Sequence, residues 1–138
     1  NSTILVAAQL GMRVILACPP DYQLADDIVQ LARQEAERVG GSVSIEHDRR
    51  KAFDGADVVY AKSWTPPLYV GRAEDEQQVR RGLSHWTVTA ESMGWTREAS
   101  FMHCLPVRRN VVVSDEVLDS SRSFTQKSFG RISERSRR

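Results

Sequence analysis

The sequence predicts an α/β domain built on a parallel sheet with helices on both of its faces. Apolar runs of strand character alternate along the chain with segments of helical period; the runs lie at 13–18, 43–47, 57–62 and 99–104. The run at 14–18 lacks polar alternation, which is typical of a central parallel strand covered on both faces. With 138 residues, 41% of them hydrophobic, the chain is long enough for one sizeable core.

The predicted helices are bounded by ordinary start and stop residues. Ser2 or Thr3 can cap a first helix that Gly11 ends. The strongest helical period lies in 25–39, where apolar residues recur at three- and four-residue spacing between charges. Shorter helices are predicted after Asp48, from Thr89, after Ser114 and over the polar stretch 74–81.

Composition excludes several classes of protein. The formal net charge is +1, which gives no argument for a nucleic-acid or membrane partner. No apolar run approaches the roughly 20 residues of a membrane span, and the first residues lack the pattern of a signal peptide. Cys18 and Cys104 show no disulfide pattern, so we expect a reducing, cytoplasmic compartment. No Cys/His spacing resembles a metal site.

The last residues differ in composition from the rest. Residues 120–138 are rich in Ser and Arg and poor in aliphatic side chains, so we expect the domain to span 1–119 and to be followed by a poorly ordered basic tail. A basic tail can bind nucleic acid, but no aromatic residues are interleaved with these charges in the way that stacking on bases requires. A solvated terminus is therefore the favoured interpretation.

Residues that carry chemistry are concentrated in 100–110. His103 and Cys104 follow a predicted strand, Pro106 forces a turn, and Arg108 and Arg109 come next. Ligand sites of open α/β sheets lie at the carboxyl ends of the strands, where this stretch would be. The alternative is a buried strand that happens to end in Cys-Leu-Pro.

Two long motifs give the stretch a family resemblance. Phe-Met-His-Cys-Leu-Pro-Val-Arg-Arg-Asn at 101–110, with Ser-Asp-Glu-Val at 114–117, resembles the carbamoyltransferase family. Asp-Val-Val-Tyr-Ala-Lys-Ser-Trp at 57–64 independently resembles the branch of that family that acts on N-acylated ornithine. The two motifs occur in the family's order and at its spacing, and the likeness covers most of 1–119.

The resemblance implies a two-domain, homotrimeric enzyme of arginine biosynthesis. An N-terminal domain binds carbamoyl phosphate, and a C-terminal domain of Rossmann-like topology binds the amino acid. The side-chain amine attacks the carbonyl carbon of carbamoyl phosphate and phosphate leaves, without a metal or organic cofactor. Such catalysis depends on holding two small-molecule reactants together and stabilising the developing oxyanion.

Only the C-terminal domain of such an enzyme is recognisable in this chain. The family's phosphate-binding Ser-x-Arg-Thr stretch is absent, so the N-terminal carbamoyl-phosphate domain is missing. The later Glu-Asn-Arg motif is also not recognisable, and 130–133 stand roughly in its place. We therefore expect a fragment that has no carbamoyltransferase activity by itself.

The resemblance assigns catalytic roles to His103 and Cys104. In the family the positions of Cys104 and Leu105 line the site where the two substrates meet. Without the motif, His103 would be a structural strand-end histidine and Cys104 a small buried hydrophobe.

The resemblance also assigns substrate-binding residues. Lys62 matches the lysine that binds the carboxylate of acylornithine, and Arg108 matches an arginine near that carboxylate. Leu105 and Pro106 line the same site, and the family's Leu-Pro bond is cis. Taken alone, Lys62 would be an ordinary strand-end cation.

Lys62 also bears on which amine is the acceptor. Ornithine enzymes place an aspartate near this position, which suits a charged α-amine, whereas an acylated nitrogen carries no charge. A lysine then suits the remaining carboxylate, so N-acylornithine is predicted. Val112 stands where acetylornithine enzymes can carry a lysine, which leaves acetyl and succinyl substrates open. Two alternatives also stay open: a carbamoyltransferase for ornithine or another amine, and a non-catalytic Rossmann-like interaction domain.

Overall fold

The structure, a computed structural model, describes residues 2–62 and 82–125. Within these ranges the strands are β1 (Arg13–Ala17), β2 (Ser42–Glu46), β3 (Val58–Ala61) and β4 (Ser100–His103). The α-helices are α1 (Ser2–Gln9), α2 (Asp26–Arg38), α3 (Arg49–Phe53), α4 (Ala90–Met93) and α5 (Asp115–Leu118), and short 3-10 helices span Pro20–Tyr22 and Ser84–Trp86. The predicted α/β class is confirmed, whereas the predicted helix at 74–81, residues 63–64 and residues 130–133 lie outside the described residues.

The strands pair in parallel, as predicted, but in two separate pairs. β1 pairs with β2 in a register that sets Val14 beside Val43, and β3 pairs with β4 with Val59 beside Phe101. In the described ranges the ladders form two two-stranded sheets. Strand order is decided by tertiary contacts, and a hydrophobic period gives no information about it.

The chain divides into two compact units, Asn1–Ala52 and Phe53–Arg138. In the first unit, α1 and α2 pack on each other and on the β1–β2 pair. The core that they share consists of small and branched side chains from both helices and from β2; these are Ile4, Ala8, Ala32, Ala36 and Val43. The alanines let the two helices approach closely while the apolar face of α2 is buried.

Two glycines make the turns of the first unit possible. Gly11 follows α1 with φ +73°, a left-handed conformation that side chains with a Cβ disfavour. Gly41 lies against the Gly11 backbone, where an added Cβ would come within 2.8 Å of the Gly11 carbonyl carbon. The turns that lead into β1 and β2 therefore need these two glycines.

The core of the second unit is centred on β4. Phe101 and Val113 are fully buried, and Phe53 meets Trp95 edge to face at 6.2 Å between ring centroids. The other buried apolar side chains of this unit come from its helices and loops; they are Val88, Met93, Ala99, Val112, Val117 and Leu118. The ring of Phe101 thus fixes one face of the strand that leads to His103 and Cys104.

The opposite face of the β3–β4 pair is open. Val58 is 53% exposed, Met102 41% and Tyr60 37%. Among the described residues, β3 and β4 each pair with one other strand. The apolar sequence of the two strands therefore reflects one buried face and one face that is apolar but accessible.

Some of the helices begin with the N-cap residues that the sequence predicts. Asp48 Oδ1 accepts from the amides of Arg50 and Lys51, and Thr89 forms a capping box with Ser92. Ser114 is different: its hydroxyl makes no cap bond to α5 and is buried without a hydrogen-bond partner in the described part. The cap of α5 is instead non-local and belongs to the site described below.

The first residues of the predicted tail lie against β4. The amide of Phe101 donates to the carbonyl of Arg122 at 2.9 Å, and Ser123 is buried. The domain boundary at 119 stays a prediction. Among the described residues, no helix is both long and apolar enough to cross a membrane.

Candidate functional site

Parallel pairing of β3 with β4 brings two predicted site residues together. The register sets Ala61 beside His103, so the next residues, Lys62 and Cys104, leave the sheet at the same edge. Lys62 Nζ donates to Cys104 Sγ at 3.2 Å. Two residues predicted at the ends of different strands thus lie at one edge of the β3–β4 pair.

The hydrogen bond between Lys62 and Cys104 favours the ionised form of each side chain. The hydrogen bond from Lys62 lowers the pKa of the Cys104 thiol; burial opposes this, and the Tyr60 hydroxyl adds to the lowering. In turn, the bond to Cys104 raises the pKa of Lys62, so its ammonium is held. Tyr60 lies on β3 two residues before Lys62, so the two side chains project to the same side, which explains why the tyrosine takes part. Sequence reasoning missed Tyr60, although its position two residues before Lys62 could have identified it, because side chains two apart in an extended chain project to the same side.

His103 faces the interior, unlike its neighbour. Its side chain is 92% buried, on the same face of β4 as Phe101, and burial lowers its pKa. Nδ1–H donates to the carbonyl oxygen of Cys104, which fixes the tautomer because a carbonyl can only accept. Nε2 is then an unprotonated acceptor, buried without a partner among the described residues. The imidazole thus holds the backbone of Cys104, and the nearby charge of Lys62 adds to the lowering of its pKa.

The loop after Cys104 presents the remaining predicted residues. The Leu105–Pro106 bond is cis, as the family resemblance implied. Leu105 is half exposed, and Arg108 is also exposed. The carbonyl of Arg108 accepts from the amide of Val112 at 3.0 Å, which closes the turn, and Val112 is buried.

A second cluster of side chains holds this turn and was not predicted. We call it the loop clamp; it consists of Arg109, Asn110, Asp115 and Asp119. Arg109 donates to Asp115 through Nη1, and its Nη2 lies 2.8 Å from Asp119 Oδ1. Asn110, at φ +58°, accepts from the Asp115 amide at 3.0 Å and donates to its carboxylate at 2.8 Å. Asn110 therefore caps α5 in place of Ser114. The hydrogen bond from Arg109 is the main cause that lowers the pKa of the Asp115 carboxyl, and the hydrogen bond from Asn110 adds to the lowering.

Replacing Arg109 with Met should raise amide hydrogen exchange over 108–118, because the contacts of Arg109 with the carboxylates of Asp115 and Asp119 are lost. Arg108→Met removes the same charge from the neighbouring exposed residue and should leave exchange close to wild type. The folded-state pKa of Asp115 lies below its unfolded value of about 3.9, so the protection is present above that pH and lost as pH falls through the folded pKa. Equal exchange in the two variants would contradict the role of the clamp.

Cys18 provides a contrast to Cys104. Both thiols are free and partly exposed. Burial raises the pKa of the Cys18 thiol. A search of the same residues finds no group of three or more His, Cys, Asp or Glu side chains arranged to hold a metal ion.

Comparison with known families identifies the kind of domain to which the edge with Lys62 and Cys104 belongs. Residues 1–131 match the family model of the aspartate/ornithine carbamoyltransferase Asp/Orn binding domain. The chain belongs to the aspartate/ornithine carbamoyltransferase family. The predicted family is therefore confirmed, and the fold is that of its Rossmann-like amino-acid-binding domain.

Individual carbamoyltransferases are also similar to the chain. It is 43% identical over 121 residues to the N-acetylornithine carbamoyltransferase of Xanthomonas campestris pv. campestris, covering 87% of this chain and 36% of the relative. A crystal structure of acetylornithine transcarbamylase complexed with acetylcitrulline matches with TM-score 0.82 and 42% identity, over 89% of this chain and 37% of that one.

A third comparison is with a structure that holds two other ligands. A mutant N-acetyl-L-ornithine transcarbamylase complexed with carbamyl phosphate and N-succinyl-L-norvaline matches with TM-score 0.80 and 41% identity, over 87% of this chain and 36% of that one. The chain therefore spans about a third of the length of the carbamoyltransferases that it matches.

Proposed function

We propose that this chain is the amino-acid-binding part of a carbamoyltransferase that transfers the carbamoyl group of carbamoyl phosphate to the side-chain amine of N-acylated ornithine, a step in arginine biosynthesis. The observation that carries the proposal is the exposed Lys62 ammonium at the end of β3, in contact with Cys104 at the end of β4. Parallel α/β sheets bind small ligands at this end of their strands.

The charge of Lys62 favours an acylated acceptor. Acylation removes the positive charge of the α-nitrogen and leaves one carboxylate, which a single ammonium complements. A free α-ammonium would instead be repelled by Lys62. The relatives support this choice, because their names and bound ligands include N-acetylornithine, acetylcitrulline and N-succinyl-norvaline.

The other residues of the edge take roles that fit their positions. When a carboxylate binds Lys62, the thiolate of Cys104 loses its cation and becomes a stronger base, which suits a group that accepts the proton of the attacking amine. His103 positions the Cys104 backbone through its Nδ1–H bond. Exposed Leu105, Pro106 and Arg108 line the loop beside it.

The whole enzyme would need more than this chain. A carbamoyl-phosphate-binding domain has to bring the second reactant to the Lys62 edge, because holding two reactants together supplies much of the rate enhancement of such a reaction. We propose that the complete protein is a homotrimer in the cytoplasm, with carbamoyl phosphate and N-acylornithine as its small-molecule partners. Neither a metal nor an organic cofactor enters this reaction.

Residues 1–138 alone should give no N-acetylcitrulline from carbamoyl phosphate and N-acetylornithine. The same residues joined to the carbamoyl-phosphate domain of the Xanthomonas relative should form it, as followed by mass spectrometry of the product. Turnover by residues 1–138 alone would contradict the need for a second domain. An inactive joined protein that is folded and binds carbamoyl phosphate would contradict the enzymatic proposal and favour a non-catalytic domain.

A further inference from the structure

The turn between α3 and β3 contains the one Asp-Gly pair of the sequence, Asp54–Gly55. The amide of Ala56 donates to the carbonyl of Phe53 at 3.1 Å, which closes the turn. Of the two central residues only Gly55 has a positive φ, +67°, and this pattern is typical of a type II β-turn. The peptide that links Asp54 to Gly55 is therefore the central peptide of a tight turn.

Both groups that an aspartyl-glycyl pair needs for cyclisation are available in this turn. Asp54 is exposed, and no backbone carbonyl in the described ranges accepts from the Gly55 amide. A Cβ added at Gly55 would meet no atom within 4 Å, so the central peptide has room to rotate. Glycine also places no side chain of its own beside the nitrogen. The turn therefore leaves the Gly55 nitrogen free to approach the Asp54 carboxyl carbon.

We propose that Asp54–Gly55 is a modification site at which isoaspartate forms spontaneously. The Gly55 nitrogen attacks Cγ of the protonated Asp54 carboxyl group, a carbon–nitrogen bond forms, and the hydroxyl leaves with the amide proton as water. Water then adds to the main-chain carbonyl carbon of the resulting succinimide. When the bond from that carbon to the nitrogen breaks, the chain runs through Cβ and Cγ. One water leaves and one returns, so no oxidant, reductant or co-reactant is needed.

Asp119–Ser120 provides a contrast within the same chain. The Asp119 carboxylate accepts from Arg109 at 2.8 Å, and the Ser120 amide donates to the carbonyl of Val117 at 3.2 Å. The carboxyl group and the nitrogen that cyclisation would join are thus both held in other contacts. We therefore expect the fold to protect Asp119 and to leave Asp54 open to reaction.

The modification acts on the entry to β3. Isoaspartate adds one methylene to the main chain and leaves the free carboxylate on the α-carbon. Just after the turn, the carbonyl of Ala56 accepts from the amide of Arg97 at 3.1 Å, and the carbonyl of Asp57 accepts from Ser100 at 3.0 Å. These bonds join the start of β3 to the start of β4. We therefore expect the lengthened turn to increase hydrogen exchange at the Arg97 amide.

The test is incubation of residues 1–138 in mildly acidic buffer, with and without urea. After proteolysis, the aspartyl and isoaspartyl peptides are separated by chromatography and distinguished by electron-transfer mass spectrometry. Isoaspartate should accumulate at Asp54, and its ratio to isoaspartate at Asp119 should be larger in the folded chain than in urea. Hydrogen exchange of the separated isoaspartyl chain should be faster at Arg97 than in the aspartyl chain.

Two substitutions at the turn should suppress the modification. Asp54→Glu should abolish it, because a glutamate would have to close a larger and less favoured ring. Gly55→Ala should slow it, because a methyl group hinders attack by the nitrogen. Gly40→Ala is the matched control, since it places a Cβ at another left-handed glycine, φ +78°, that no aspartate precedes. It should leave the reaction at Asp54 unchanged.

The proposal fails if the folded chain forms no more isoaspartate at Asp54 than at Asp119, or if Gly55→Ala accumulates it at the wild-type rate. Asp119 monitors folding, because it reacts as in urea once Arg109 no longer holds it. A Gly55→Ala chain that has unfolded is compared with the wild-type chain in urea, where the same slowing is expected. Unchanged exchange at Arg97 would contradict the effect on β3. No carbamoyl transfer is measured, so the outcome is independent of the proposed function.

Discussion

Replacing Lys62 with Met should lower kcat/KM for N-acetylornithine by about tenfold or more in the joined enzyme, which is the size expected for the loss of one charge-assisted hydrogen bond. The physical reason is the position of the ammonium at the end of β3, where a substrate carboxylate would replace the sulfur of Cys104 as its partner. The lysine is solvent-exposed, so the effect should lie toward the low end and weaken at high salt.

The loss should be confined to one substrate. KM for carbamoyl phosphate should change little, because that ligand is held by the other domain. Lys51→Met is the matched control, since it removes the same side chain from α3 in Asn1–Ala52 and should leave both substrates unaffected. Equal losses for both substrates would indicate a folding defect, and no loss for N-acetylornithine would remove the basis for assigning the carboxylate to Lys62.

Replacing Phe101 with Ala should destabilise the second unit by about 3–5 kcal/mol, the usual cost of deleting a fully buried aromatic side chain. Phe101 is 0% exposed and occupies the face of β4 opposite to Met102. Such a loss is a large part of the stability of a small domain. The measurement is urea denaturation followed by tryptophan fluorescence, which reports on Phe53–Arg138 because Trp64, Trp86 and Trp95 all lie there.

Met102→Ala provides the comparison for this prediction. Met102 is the next residue of the same strand but is 41% exposed, so its truncation should cost no more than about 0.5 kcal/mol. Similar effects of the two substitutions would contradict the assignment of a buried and an open face to β4. A Phe101→Ala variant that is unfolded without urea agrees with the prediction, provided that Met102→Ala is folded.

Local sequence signals were sufficient to predict the helices and strands named here. The helical period of 25–39 predicted α2 within a residue at each end, and Asp48 and Thr89 predicted their caps, because both use hydrogen bonds within three residues. The position of Lys62 and Cys104 at one edge also followed from sequence, since adjacent parallel strands end at a common edge. The chemical roles of these side chains came only from the family motifs and remain proposals.

Non-local contacts account for what the sequence did not predict. Ser114 has the right residue type for an N-cap, yet Asn110 performs that function because the turn before α5 brings its side chain to the Asp115 amide. The same holds for the strand pairing and for the accessible face of β3, since both depend on which helices, strands and loops pack against each other. His103 was predicted with Cys104 as a catalytic residue, but pleating directs it into the core, where its geometry favours a positioning role.

Competition between acceptors tests the central claim most directly. The joined enzyme would be incubated with carbamoyl phosphate and equal concentrations of ornithine, N-acetylornithine and N-succinylornithine, and the citrulline products quantified by mass spectrometry. Because Lys62 complements a lone carboxylate and repels a free α-ammonium, we expect an N-acylated citrulline to dominate. Predominant formation of citrulline itself would contradict the assignment of this chain to N-acylornithine.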